Sequence, residues 1–469
     1  MLTVFGTPYH HCDGLTRRHF LTAGALSAGG LTLADLLRAE ELTGIGKSEK
    51  AVINVHLDGG PPQMDMIDMK PDAPVEIRGE FKPVATTIPG FQICELMPKM
   101  AAHAHKFSFV RSLVGSAGAH DAFQCQSGWP SKSLSSMGGR PAMGCVVGRL
   151  KGSERDVAPS FVDLMQGRPL VRNSARPGFL GPAFKAFRPD ISQLFKRPLE
   201  EGMKKELKAL GAGHSTSLNL NVALDADRLN NRARLLNGLD RIRRDMDHSG
   251  MMDAMDRFTQ QAAAILTSGK FASAMDLSQE DPKTLERYTP ATDHGERFVT
   301  AESPMAARKF LLARRLVEAG VRVVSISISD FDTHSKNFPR MRQVLPTVDQ
   351  GLHALVTDLE ERGMIDDVTI VAWGEFGRTP RVDNKTGGRH HWPAVGPALL
   401  TGGGMRTGQI IGGTDRHASS VVSRPVTYQD VFATLYHNLG IDIGSTTLLD
   451  PQGRPQYLVD RGQLLQELV

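Results

Sequence analysis

Four cysteines in 469 residues, Cys12, Cys94, Cys125 and Cys145, are too few and too scattered for a disulfide scaffold, and no two form a CxxC pair or zinc-ribbon spacing. One structural bridge is the most they allow. An excess of one charge is also missing: the formal net charge is only +4, inflated by N-terminal arginines, which gives no footing to a nucleic-acid-binding surface. No long apolar run is present; a stable membrane span wants ~20 such residues, and the most apolar N-terminal stretch, TAGALSAGGLTLADLL, is shorter and rich in glycine. Internal repeats and low-complexity tracts are absent. What remains is an ordinary globular composition, 40% hydrophobic and 23% charged, long enough for one large core with insertions or for two domains.

That N-terminal stretch follows Thr16-Arg17-Arg18-His19-Phe20-Leu21. Paired arginines ahead of a weakly hydrophobic run resemble a twin-arginine export signal; the plain alternative is an amphipathic helix with two exposed arginines. Residues 1–45 are therefore set apart as a signal region read by the twin-arginine export machinery, and residues 46–469 as the folded domain. The expected location is periplasmic or extracellular.

Strands alternate with helices along the folded part. Ala51–Leu57 (AVINVHL) reads as a first strand that breaks at Asp58-Gly59-Gly60-Pro61-Pro62. A helix over Glu95–His105 and a strand over Phe107–Leu113 follow. Between residues 199 and 318 apolar positions recur three and four apart, as over 199–210, 227–247 and 256–269, which predicts a helical layer or insertion whose Met and Leu stripe is core. Strands over Val321–Ser329, Asp367–Trp373 and Pro397–Leu400, a helix over Leu345–Arg362, and a last helix capped by Thr427 and ending near Gly440 complete the pattern. Such alternation predicts an α/β fold with a mostly parallel central sheet.

Four loops at inferred strand ends carry matching chemistry: Asp58 with Asp65 and Asp68; Ser116 with His120; Asp332 with His334; and Glu375 with Arg378, His390 and His391. Ligands gather at the carboxyl edge of open α/β sheets. Carboxylates and imidazoles without thiolates suit zinc, manganese or another borderline-to-hard cation, calcium included. Two cations about 4 Å apart form a clamp for in-line displacement at phosphorus or sulfur, and the planar fork of Arg378 would complement a tetrahedral oxyanion. Structural alternatives stand beside each residue. Ser116 among glycines and alanines is equally a turn residue, Glu375 and Arg378 equally a loop ion pair, and the adjacent His390 and His391 diverge, so that one of them faces a cation.

On the motifs GGPPQMDMIDMKPDAP, VRSLVGSAGAH, RRLVEAGVRVVSI, FDTHSKNF, WGEFGRTP, GRHHWP and PVTYQDVFATLYHNLGI, the chain resembles a bacterial family of exported proteins, domain of unknown function 1501, of the alkaline phosphatase and sulfatase superfamily. The resemblance spans nearly all of the folded part. It implies an alkaline-phosphatase-like α/β/α sandwich with a metal site at the strand ends. Members often read GRDHW where this chain has Gly388-Arg389-His390-His391-Trp392, so His391 matches the family histidine and His390 replaces an acid. Asp65 and Asp68 match the family pattern, and Asp58 stands at a variable position. The superfamily's late Asp-His pair is here Glu375-Phe376, and no cysteine or serine lies in a C/S-x-P-S/A-R motif, which removes formylglycine chemistry.

The expectation is an exported hydrolase of phosphate or sulfate esters, acting on a small-molecule or polysaccharide ester with one or two divalent cations, zinc first. Asp58, Asp65, Asp68, His120, Asp332, His334, Glu375 and His391 are its candidate ligands, and Ser116, Arg378 and His390 its candidate catalytic residues. The alternative is a non-catalytic, anion- or glycan-binding relative; a phosphomutase is a third reading that export disfavours.

Overall fold

Strand β1 (Ala51–Leu57) is buried at all seven positions, as a strand without a polar face must be when helices cover the sheet on both sides. The structure, a computed structural model, describes residues 50–153, 156–165, 174–189, 191, 269–289, 298 and 302–469, and Lys50–Val469 form one unit. The arginine-paired segment lies outside the described residues. So do the helices expected over 199–210 and 227–247, and all but the last residue of the one expected over 256–269.

Seven further strands join β1: β2 (Ser108–Val114), β3 (Phe161–Asp163), β4 (Val323–Ile328), β5 (Val368–Trp373), β6 (Gly396–Gly402), β7 (Ile410–Ile411) and β8 (Val426–Thr427). Their order is β7-β2-β6-β5-β1-β4-β3, with β8 also pairing β2. β1 runs parallel to β4 and β5, in the registers Leu57 to Ile328 and His56 to Trp373, so three strands end at one level. β6 is antiparallel to both β2 and β5. This reversed strand is the departure from an all-parallel sheet, and it leaves β2 pointing the same way as β1, β4 and β5. The carboxyl ends of four strands thus share one rim.

Side-chain alternation along β1 feeds two cores. Ile53, Val55 and Leu57 join the core under α4 (Arg308–Glu318) and α5 (Asn337–Glu361), with Phe310, Leu311 and Leu352. Val52 joins the opposite core, where α3 (Met143–Lys151) and α6 (Tyr428–Asn438) bury Val146, Phe432 and Leu435 against Trp373. This is the α/β/α sandwich that the resemblance implies. Thr427 caps α6 in a full capping box with Asp430, as its place before the amphipathic run predicts.

Two helices differ from their sequence expectation. α5 begins at Asn337, well before Leu345, and carries Pro346 inside it. Burial of Phe338, Met341, Val344 and Leu345 outweighs the hydrogen bond that the proline cannot make. The helix expected over Glu95–His105 contracts to α1 (Pro98–Ala102) and a 3-10 turn over Ala104–Lys106, and the next short helix, α2 (Phe123–Ser127), follows β2. The Asp349 carboxylate accepts the N–H groups of Lys99 and Met100 at 3.1 and 2.8 Å, supplying from α5 the cap that α1 lacks locally. Between 269 and 318 the described segments are helical, including Lys270–Met275 and Pro282–Arg287. Cys94, Cys125 and Cys145 are buried free thiols. Among the described residues no helix is long and apolar enough to cross a membrane.

Candidate metal centre

The rim is built where chain segments leave β1, β2, β4 and β5 and abut one another. Gly59 has φ +110°, and a Cβ there would stand 2.4 Å from the backbone N of Asp332. A Cβ on Gly388 would stand 2.1 Å from the carbonyl oxygen of His334. Only glycine lets these loops close on each other. After β4 the chain turns through Asp330, which adopts φ +84° and pairs with Arg340. A left-handed aspartate at a strand exit is strained and held by its surroundings, and two residues later the carboxylate of Asp332 enters the rim.

His120, Asp332, His334 and His391 each offer a ligand atom there, all within 4.8 Å of one another. Asp332 Oδ1 lies 3.1 Å from His334 Nε2, 3.3 Å from His120 Nε2 and 3.5 Å from His391 Nε2. A second group, His56, Asp58 and Glu375, meets the same criterion and is buried. His120 joins the two, because its Nδ1 lies 3.0 Å from Glu375 Oε1 while its Nε2 faces Asp332. Glu375 also accepts the Gly59 N–H at 3.0 Å and has His56 Nε2 at 3.3 Å from Oε2.

Charge follows from this packing. Burial pushes the His120 imidazole down, but the Asp332 and Glu375 carboxylates on its two nitrogens overcome that and raise it to about 9. His391 and His334 are both lowered, burial being the largest cause in each. His56 is lowered by burial despite Glu375. His56, His334 and His391 are thus held neutral, the form that ligates cations, whereas His120 has to release a proton to join them.

The donor set fits a divalent cation. Three imidazoles and one carboxylate, without sulfur, match the nitrogen and oxygen preference of zinc or manganese. Buried polar atoms without hydrogen-bond partners line the same place: His391 Nε2, Glu375 Oε2 and both ring nitrogens of His56. Such atoms are costly unless something satisfies them. Glu375 on His120 Nδ1 has the form of the carboxylate partner that orients a ligating histidine.

Several expected site residues stand elsewhere. Asp65 is buried and gives both oxygens to Arg389, at 2.9 Å each, with Asn337 Nδ2 at 2.7 Å. Asp68 is occupied by Lys70 at 2.9 Å, by Arg111 at 3.5 Å and by the Thr414 hydroxyl. Neither joins the cluster; both are held by cations of the protein itself. Arg378 is fully buried and donates to the carbonyls of Gly59, Gly60 and Arg389 and, at 2.7 Å, to Asp332 Oδ1. It holds Asp332 in place rather than facing a substrate oxyanion. The Ser116 hydroxyl donates to the Glu375 carbonyl and accepts the Gly118 N–H, so it is the turn residue and not a presented nucleophile. His390 points away from the cluster, with Nδ1 at 2.8 Å from His334 Nδ1 and Nε2 at 3.4 Å from Asp383. His56, Arg389 and the Gly59 and Gly388 approaches are the parts that sequence reasoning missed. A histidine inside the otherwise apolar AVINVHL was the one local signal for His56.

A family model described as "Protein of unknown function (DUF1501)" matches residues 49–469. No curated protein matches the chain by sequence. Similar solved structures include the PsFucS1 sulfatase from Pseudoalteromonas sp., at 11% identity over 87% of this chain and 70% of that one, with a TM-score of 0.37. The phosphonate monoester hydrolase of Agrobacterium radiobacter aligns at 13% identity over 89% and 77%, with a TM-score of 0.34. The lipoteichoic acid synthase LtaP from Listeria monocytogenes aligns at 10% identity over 85% and 74%, also at 0.34.

Proposed function

The chain belongs to the DUF1501 family, and for this member of it we propose metal-dependent hydrolysis of phosphate or sulfate esters. One observation carries the proposal: His120, Asp332, His334 and His391, drawn from three separate loops, bring their ligand atoms within 4.8 Å of one another at the carboxyl ends of the strands. These four would hold a divalent cation, and His56, Asp58 and Glu375 would hold a second or support the first. Such a cation supplies Lewis acidity toward an ester oxygen.

The chain's own residues do the rest. Glu375 accepts a hydrogen bond from His120 Nδ1–H and so leaves Nε2 directed into the cluster. Arg378 fixes Asp332 and offsets part of its charge. His390 lies against the far nitrogen of His334 and sets the orientation of that ring. The alternative, a non-catalytic anion- or glycan-binding relative, is favoured by one point: the Ser116 hydroxyl and the Arg378 guanidinium are both engaged in holding backbone.

Turnover of 4-nitrophenyl phosphate and 4-nitrophenyl sulfate, with and without a chelator, separates the two. Chelator-sensitive hydrolysis of either ester is the expected result; metal content without any turnover selects the binding protein. Export by the twin-arginine route belongs to the same proposal and is motivated by Arg17-Arg18. Substituting both with lysine should retain the protein in the cytoplasm, and unchanged fractionation would remove that part.

A further inference from the structure

Serine recurs at alternate positions in β4 and just beyond it, at Ser325, Ser327 and Ser329. Val324, Ile326 and Ile328 face the core under α4 and α5, and a strand sends successive side chains to opposite sides, so Ser325 and Ser327 stand away from that core. The Ser325 hydroxyl donates to Gln126 Oε1 at 3.1 Å, a bond within the sandwich. Ser329 reaches the rim instead. The register of Leu57 with Ile328 brings the residues after them, Asp58 and Ser329, side by side, and the Ser329 hydroxyl donates to Asp58 Oδ2 at 3.3 Å. Both residues are buried.

The backbone of Asp58 is tied down on both sides: its N–H donates to the Ile328 carbonyl at 2.9 Å, and its carbonyl accepts from the Phe331 N–H at 3.1 Å. Such bonds place the Cα of Asp58 but not its carboxylate, whose orientation depends on side-chain partners. Ser329 is in turn anchored. Glu302 Oε1 accepts the Ser329 N–H at 3.3 Å and the Lys309 ammonium at 3.0 Å, and Lys309 donates again to the Ser327 carbonyl at 2.9 Å. Lys309 and Glu302 are both completely buried. Apolar side chains of like volume would hold α4 on the sheet about as well; what this charged pair adds is a fixed place for the end of β4 and for Ser329.

We infer that Ser329, braced by Glu302 and by Lys309 from the first turn of α4, is a positioning residue for Asp58: it holds that carboxylate toward His56 and Glu375, with which Asp58 forms the inner group. Its hydroxyl stands where the outer partner of a ligating carboxylate is expected. The inference rests on the proposal that this group takes part in holding a cation, and it does not depend on which ester is cleaved.

The test compares the purified full chain with S329A and S329T, each stripped of metal and titrated with zinc against a chelating dye. Affinity for one equivalent of zinc should fall about 10–100-fold in S329A, and S329T, which keeps the hydroxyl, should regain it. Cobalt(II) loaded in place of zinc should give an altered visible spectrum in S329A and the parental one in S329T. Thermal midpoints of the metal-free chains are read alongside. A midpoint that drops in S329A while zinc affinity and the cobalt spectrum stay unchanged assigns Ser329 to the fold alone and overturns the inference, as does an S329T that binds zinc as weakly as S329A. Aryl-ester turnover is scored separately. Weakened zinc binding by S329A, in a protein that cleaves no aryl ester, keeps the positioning role and loses the hydrolase; chelator-sensitive turnover with zinc affinity unchanged in S329A does the reverse.

Discussion

Replacing Asp65 with alanine should make the protein easier to unfold without changing how much metal it holds. Asp65 and Arg389 are both completely buried. Two charge-assisted bonds of 2.9 Å join them, and Asn337 adds a third at 2.7 Å. In D65A the guanidinium keeps the carbonyls of Ile77, Thr379 and Pro380 and the Met64 sulfur, which accept hydrogen bonds from it but do not neutralise it. Breaking a buried pair from one side costs about 3–5 kcal/mol, a large share of the ~5–15 kcal/mol that holds a domain folded. Urea unfolding should therefore show a lower midpoint with an unchanged slope. Metal content, read by plasma mass spectrometry below the transition, should match the parent. Removing both charges together, in D65L/R389M, should restore most of the loss. The refuting result is a D65A protein that loses its metal while its urea midpoint stays put, for that would return Asp65 to the ligand set.

Three further outcomes are expected. E375Q keeps the shape of the side chain but weakens its grip on His120 Nδ1, and metal affinity measured by competition with a chelating dye should fall about 10–100-fold; equal affinity would show that Glu375 does not orient His120. Asp349 is raised to about 6 by burial, so between about pH 4 and pH 6 the folded state keeps a proton that the unfolded chain has lost. Its contribution is thus fully present below pH 4 and is lost as pH rises through 6, by at most about 3 kcal/mol at ~1.4 kcal/mol per pH unit. Parent stability relative to D349N should fall over that interval, and a difference flat in pH contradicts the assignment. T427A removes half of the capping box on α6 and should cost about 1 kcal/mol, with T427S restoring it; a neutral T427A would mean that packing of Phe432 and Leu435 alone sets the start of the helix.

Local pattern carried the fold a long way. Ala51–Leu57 is a strand with the bounds its composition predicts, and Thr427 caps the helix it precedes. Strand direction was not legible, because apolar runs look alike either way round, and so the reversal of β6 had to come from its pairing. Rim residues were legible where a polar group followed directly on a strand, as with Asp332 and His334 after β4, Glu375 after β5, and His120 in the loop beyond β2. Asp65, Asp68 and Arg378 misled for a common reason. Whether a carboxylate faces a cation from solution or one from the chain depends on partners far away in sequence, such as Arg389, 324 residues beyond Asp65. His56 was hidden by its neighbours: inside a buried strand it reads as part of the core, and only the pairing of β1 with β5 puts it beside Glu375.

Anomalous diffraction from crystals grown with zinc or manganese is the most direct test of the metal centre. A strong peak should lie about 2.0–2.2 Å from His120 Nε2, His334 Nε2, His391 Nε2 and an oxygen of Asp332. A map without that peak, in which Asp332 instead accepts hydrogen bonds directly from the three rings, would contradict it.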